Sequence, residues 1–85
     1  MKVKFKVVGA NPATEHLRDK EGLMVKSYMN GPTAIRELLF GEDTYLLDQK
    51  TVDFLPDCVL INGFLSDNKE NVGRVALKFI PQHEE

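Results

Sequence analysis

The sequence predicts an α+β domain, and three observations carry that reading. The first residues alternate between apolar and charged, a short central segment places apolar residues at helical spacing just before a glycine, and the chain closes on a second alternating run. Period two argues a half-buried strand, and apolar residues at i, i+3 and i+4 argue an amphipathic helix.

The elements follow in chain order. Val3, Phe5 and Val7 point one way and Lys2, Lys4 and Lys6 the other, giving a first strand with one solvated face. Gly9-Ala10-Asn11-Pro12 punctuates the chain, and the polar residues 13–21 read as a loop holding one helical turn. Residues 22–29 form the second strand, with Leu23, Val25 and Met29 of one parity and Lys26 and Tyr28 of the other. Asn30-Gly31-Pro32-Thr33 is a turn that doubles as a helix start, with Thr33 as N-cap or Pro32 at the first helical position. Ile35, Leu38 and Leu39 then make an apolar stripe, and Gly41 ends the helix. A helix of this length is marginal alone and must pack on a sheet.

Residues 42–57 show no clear period, although 51–55 suit a short strand or an extended connector. Leu55-Pro56-Asp57-Cys58 has the proline placement of a type I turn. Residues 58–61 form a compact apolar strand, Asn62-Gly63 signals a two-residue hairpin, and Phe64-Leu65 returns along it. After a polar loop at 66–71, residues 72–80 form the last strand, with Val75, Leu77 and Phe79 inward and Arg74 and Lys78 outward. The economical way to bury these stripes is one helix packed on one face of a mixed sheet. In the order ββαβ(β)β that is the β-grasp, or ubiquitin-like, architecture. It is expected to span residues 1–85 as a single domain with a flexible tail from about 81.

Composition bounds the function. Eighty-five residues make one domain with a modest core. Eleven basic and thirteen acidic residues, spread along the chain for a net charge of −2, leave no basic patch for a nucleic acid. No apolar run is long enough for a membrane helix, and no apolar stretch follows the N-terminal lysines as in a signal peptide. A single cysteine excludes an intramolecular disulfide, and together these features suit a cytoplasmic protein.

Three segments resemble the ThiS/MoaD-type sulfur carriers of thiamine and molybdopterin biosynthesis. Pro32-Thr33-Ala34-Ile35-Arg36-Glu37-Leu38-Leu39 resembles the family's Thr-x-x-Glu-Leu-Leu helix start, with one extra residue between Thr33 and Glu37. Val59-Leu60-Ile61-Asn62-Gly63 resembles its apolar strand ending in Asn-Gly, and Val75-Ala76-Leu77-Lys78-Phe79-Ile80-Pro81 its last strand. The resemblance implies a tail whose terminal glycine is adenylated by an activating enzyme and converted to a thiocarboxylate. Here Glu84 and Glu85 stand where those glycines would fall, no Gly-Gly pair occurs in the chain, and Asn71-Val72-Gly73-Arg74 replaces the family's acidic turn. Only residues without a Cβ let the backbone thread a narrow channel.

The residues that could carry chemistry are few. Cys58 begins an apolar strand and reads as a buried structural thiol rather than as a nucleophile, which would need an activating base or a helix N-terminus. His16 in a polar loop and His83 in the tail have no metal-type spacing with it. Glu42-Asp43 reads as a solvated loop, and no phosphate loop or nucleophile elbow is present. The expectation is therefore a non-enzymatic protein without a cofactor that works by binding another protein, such as an activating or cofactor-synthesis enzyme. The candidate partner-binding residues are Met24 and Tyr28, on the sheet face away from the helix, and Pro81, His83, Glu84 and Glu85 in the tail. The alternatives are a working sulfur carrier and an accessory subunit of a larger enzyme complex. Neither a nucleic acid nor a membrane is an expected partner.

Overall fold

The computed structural model describes residues 3–67 and 70–79. It is a compact domain of one short helix and a six-stranded antiparallel sheet. The strands are β1 (Val3–Ala10), β2 (Glu21–Asn30), β3 (Thr33–Phe40), β4 (Asp43–Phe54), β5 (Val59–Asp67) and β6 (Glu70–Phe79). A 3-10 helix, Pro12–Leu17, lies between β1 and β2. Each strand pairs with its sequence neighbour, and β6 pairs with β1, so the sheet closes into a barrel.

The α+β outline of one sheet and one short helical element stands, and the first and last strands lie side by side as in a β-grasp. The layout within that outline is corrected. Residues 33–40 are a strand, every strand pair is antiparallel rather than mixed, and among the described residues no α-helix covers a face of the sheet. The physical reason lies in the glycines on either side. Gly31 and Gly41 take φ of 63° and 61°, each as the first residue of a two-residue connection between paired strands. Pro32 locks its own φ negative, so the first of these turns is type II′, whose twist matches that of a hairpin. The positive φ that suited Gly41 to a helix end serves a turn equally well. With turns at both ends the segment pairs on both sides, Leu38 with Met24 and Tyr45, and Leu38 and Phe40 point into the barrel.

The Asn62-Gly63 turn is corrected as well. Both residues sit inside β5 and pair with β4 on one side and β6 on the other. The glycine is needed for a close approach, because a Cβ at Gly63 would collide with the Asp48 carbonyl oxygen. The expected polar loop at 66–71 is largely strand, with Ser66 opposite Asn71 and Asp67 opposite Glu70. The stretch 42–57, which had no readable period, contains one twelve-residue strand. Its alternation is broken by a bulge at Lys50, where the register slips between Gln49 and Thr51. The connection at Leu55-Pro56-Asp57-Cys58 is where it was expected, closed by the Leu55 N–H donating to the Cys58 carbonyl at 2.9 Å.

A barrel of six strands is narrow, and side chains fill it. Phe5, Val7, Leu38, Leu47, Leu65 and Leu77 are sealed from solvent. Phe5 packs edge-on to Phe40 at 5.3 Å between centroids and tilts against Phe79 at 5.5 Å. The 3-10 helix packs against β1 and β6 at the end where β1 stops and β2 starts. Asn11 caps it, accepting from the N–H groups of Ala13 and Thr14, while Thr14 Oγ1 accepts from the Asn11 N–H in return. Thr14 Oγ1 also donates to the Arg74 carbonyl at 2.6 Å, and Leu17 joins the core, which fastens the helix to β6.

Gly63→Ala tests the placement of Gly63 within a doubly paired strand. Overpacking at such a site costs about 1–3 kcal/mol, so the melting temperature falls by roughly 5–20 °C in thermal unfolding. An unchanged melting temperature would contradict the close contact with β4.

Candidate functional site: the open mouth of the barrel

The up-and-down path sets what lies at each end. The end where β1 begins also holds the β2–β3 and β4–β5 connections and the finish of β6. Among the described residues no helix packs there, and the barrel opens into a pocket of about 250 Å³ to which every strand contributes. Val3, Met24, Val52, Val59, Ile61 and Phe79 make its walls, and Phe54, 81% exposed, stands at the rim.

One charged group faces into this apolar ring. Arg36 shares the inward face of β3 with Leu38 and Phe40. Its Nε donates to Gln49 Oε1 at 2.7 Å, and its Nη1 donates to Ser27 Oγ at 3.2 Å and to the Met24 sulfur at 3.4 Å. Every partner is neutral. Among the described residues no carboxylate lies within ion-pair distance of the guanidinium, and Nη2 has no hydrogen-bond acceptor. Burial pushes the guanidinium down from its ordinary pKa, with no neighbouring acid to offset the shift. It stays charged, because an arginine does not lose its proton in proteins.

The bulge in β2 separates two of the residues singled out in the sequence. Met24 pairs with Leu38 and Lys26 with Glu37, so Val25 is the extra residue and the parity switches there. Met24 therefore points into the mouth, whereas Tyr28, opposite Ile35, lies on the outer face with the Lys26 ammonium 5.6 Å from its ring centroid. The shared recognition face expected for Met24 and Tyr28 is corrected on this ground. β6 ends at Phe79 in the mouth wall, and Pro81, His83, Glu84 and Glu85 lie outside the described residues. Cys58 is buried as expected, and His16 is exposed. Among the described residues no group of His, Cys, Asp or Glu is placed to hold a metal ion, and no helix is long and apolar enough to cross a membrane.

Arg36, Val52, Phe54 and Val59 were not singled out as site residues. Read at period two, Arg36-Leu38-Phe40 would have placed a cation on the core face, and that was the available signal. Val52 and Phe54 were hidden by the bulge at Lys50, which moves them onto the inward face.

Comparison with known protein families, with functionally described proteins and with solved structures finds no match to this chain.

A cation kept without an acidic partner in an apolar site adds little to stability. Arg36→Met, close in volume, is expected to cost less than about 1 kcal/mol in urea unfolding. A loss of 3 kcal/mol or more, about what breaking a buried ion pair costs, would show that Arg36 is a structural member of the core.

Proposed function

We propose that this protein acts by binding rather than by catalysis, and that the open mouth of the barrel is where it binds. One observation carries the reading. Among the described residues the mouth is an apolar pocket built by all six strands and open at the end opposite the 3-10 helix, with a single charged side chain, Arg36, lining it. The mouths of β-barrels are among the usual places for ligand sites, which combine an apolar lining with a few oriented polar groups. Between the two ends Phe5, Leu38, Leu47, Leu65 and Leu77 fill the interior.

A protein partner, the expectation from the sequence, is the second reading, and a specific observation favours it. Met29 and Leu55, 64% and 47% exposed, stand with Phe54 around the two connections that flank the mouth. Exposed apolar side chains gathered at one end suit a docking surface. The sulfur-carrier and accessory-subunit readings depend on the tail or on partners, and no observation in the described residues favours either.

The test is a titration with 1-octanol, a neutral apolar probe, followed by methyl NMR. Saturable shifts confined to Met24, Val52, Val59 and Ile61, with Leu17 and Leu65 unmoved, are the expected result. Shifts spread evenly over the barrel, or none, would contradict a binding site at the mouth.

A further inference from the structure

Three features of Arg36 together define what the mouth would take. The guanidinium is fixed in direction from three sides, by Gln49, Ser27 and the Met24 sulfur, so its fork is held in place before any ligand arrives. Its remaining donor capacity is unspent, since Nη2 has no acceptor among the described residues and no carboxylate neutralises the charge. Its surroundings are otherwise apolar, from Val3 and Met24 to Val52, Ile61 and Phe79. A guanidinium in that setting suits an anionic oxygen, because the free N–H groups of Nη2 can donate charge-assisted hydrogen bonds to it.

We infer that the mouth binds a small amphipathic carboxylate, with its anionic head on Arg36 and its hydrocarbon body against the apolar walls. The inference rests on the reading of the mouth as the binding site. Size narrows the class further. A volume of about 250 Å³ corresponds to roughly eight water-sized groups, which suits a carboxyl group carrying a chain of medium length. A second charge seated within the pocket would lie among apolar side chains, which favours a monobasic acid. A cationic head is excluded by repulsion from Arg36.

The pairing also sets a pH dependence. Arg36 stays protonated throughout, so only the ligand titrates. Affinity is full while the acid is ionised and falls as the pH drops through about 4, near the range of ordinary carboxyl groups.

The experiment compares octanoate, 1-octanol and octylammonium on the whole chain by methyl NMR titration, with Arg36→Met and Arg36→Gln beside the wild type. A hydrogen-bonded ion pair of this kind makes octanoate bind about ten- to a hundredfold tighter than 1-octanol. Octylammonium is the weakest of the three, and both variants bring octanoate down to the level of the alcohol. Equal affinity for octanoate and 1-octanol in the wild type overturns the inference and leaves the mouth as a neutral apolar site. Absence of binding by either probe overturns the reading of the mouth itself. A species with the mass of two chains in sedimentation, with no response to any probe, overturns it in favour of a second copy seated on the mouth.

Discussion

The pairing of β1 with β6 is the constraint on which the rest of this structure depends. Phe5 opposite Phe79, Lys6 opposite Lys78 and Val7 opposite Leu77 join the two ends of the chain into one sheet. An open six-stranded sheet of this length would leave two rows of unpaired backbone groups and one exposed apolar face. Closure removes both at once. It turns the inward face of every strand toward a common axis, where Phe5, Leu38, Leu47, Leu65 and Leu77 meet. It also places both described ends of the chain at one end of the barrel, since six antiparallel strands cross its length an even number of times.

From closure follows the difference between the two ends. The connection from β1 to β2 is long enough to form a capped 3-10 helix, which packs between β1 and β6 and delivers Leu17 and Thr14 to the interior. The two connections at the other end are short, and the large side chain they carry, Leu55, stays half-exposed instead of filling the axis. What remains there is a pocket walled by inward residues from every strand, with Arg36 the one contributed by β3. One end is capped by the 3-10 helix and the other opens into that pocket. Among the described residues the cation there is hydrogen-bonded by neutral groups only. A side chain that adds little to the fold but is carefully oriented is what a binding site requires.

How much of this was legible in the sequence depended on the bulges. β1 and β6 were read with their inward residues, because Val3, Phe5 and Val7, and Val75, Leu77 and Phe79, keep period two without interruption. β4 was opaque because the extra residue at Lys50 moves the apolar series from Tyr45 and Leu47 to Val52 and Phe54. The bulge at Val25 misassigned Met24 in the same way. β3 was read as a helix because Ile35 and Leu39 are half-buried on its outer face while Leu38 points inward, and three such residues satisfy both periods. Glycine was ambiguous for a general reason. Its freedom from a Cβ serves a helix end, a hairpin turn or a close strand contact, and Gly41 and Gly63 each filled a role other than the one their neighbours suggested. Of the candidate site, the sequence points only to Met24, and to a surface that Met24 does not occupy. The candidate tail residues Pro81, His83, Glu84 and Glu85 lie outside the described residues.

The most direct test of closure is a nuclear Overhauser measurement on the whole chain, read together with amide hydrogen exchange. The account predicts backbone contacts from Phe5, Lys6 and Val7 to Phe79, Lys78 and Leu77, slow exchange on both sides of β1, and extended-chain chemical shifts across Thr33–Phe40. Helical shifts over that segment, or a β1 strand that exchanges freely along its β6 side, would contradict it.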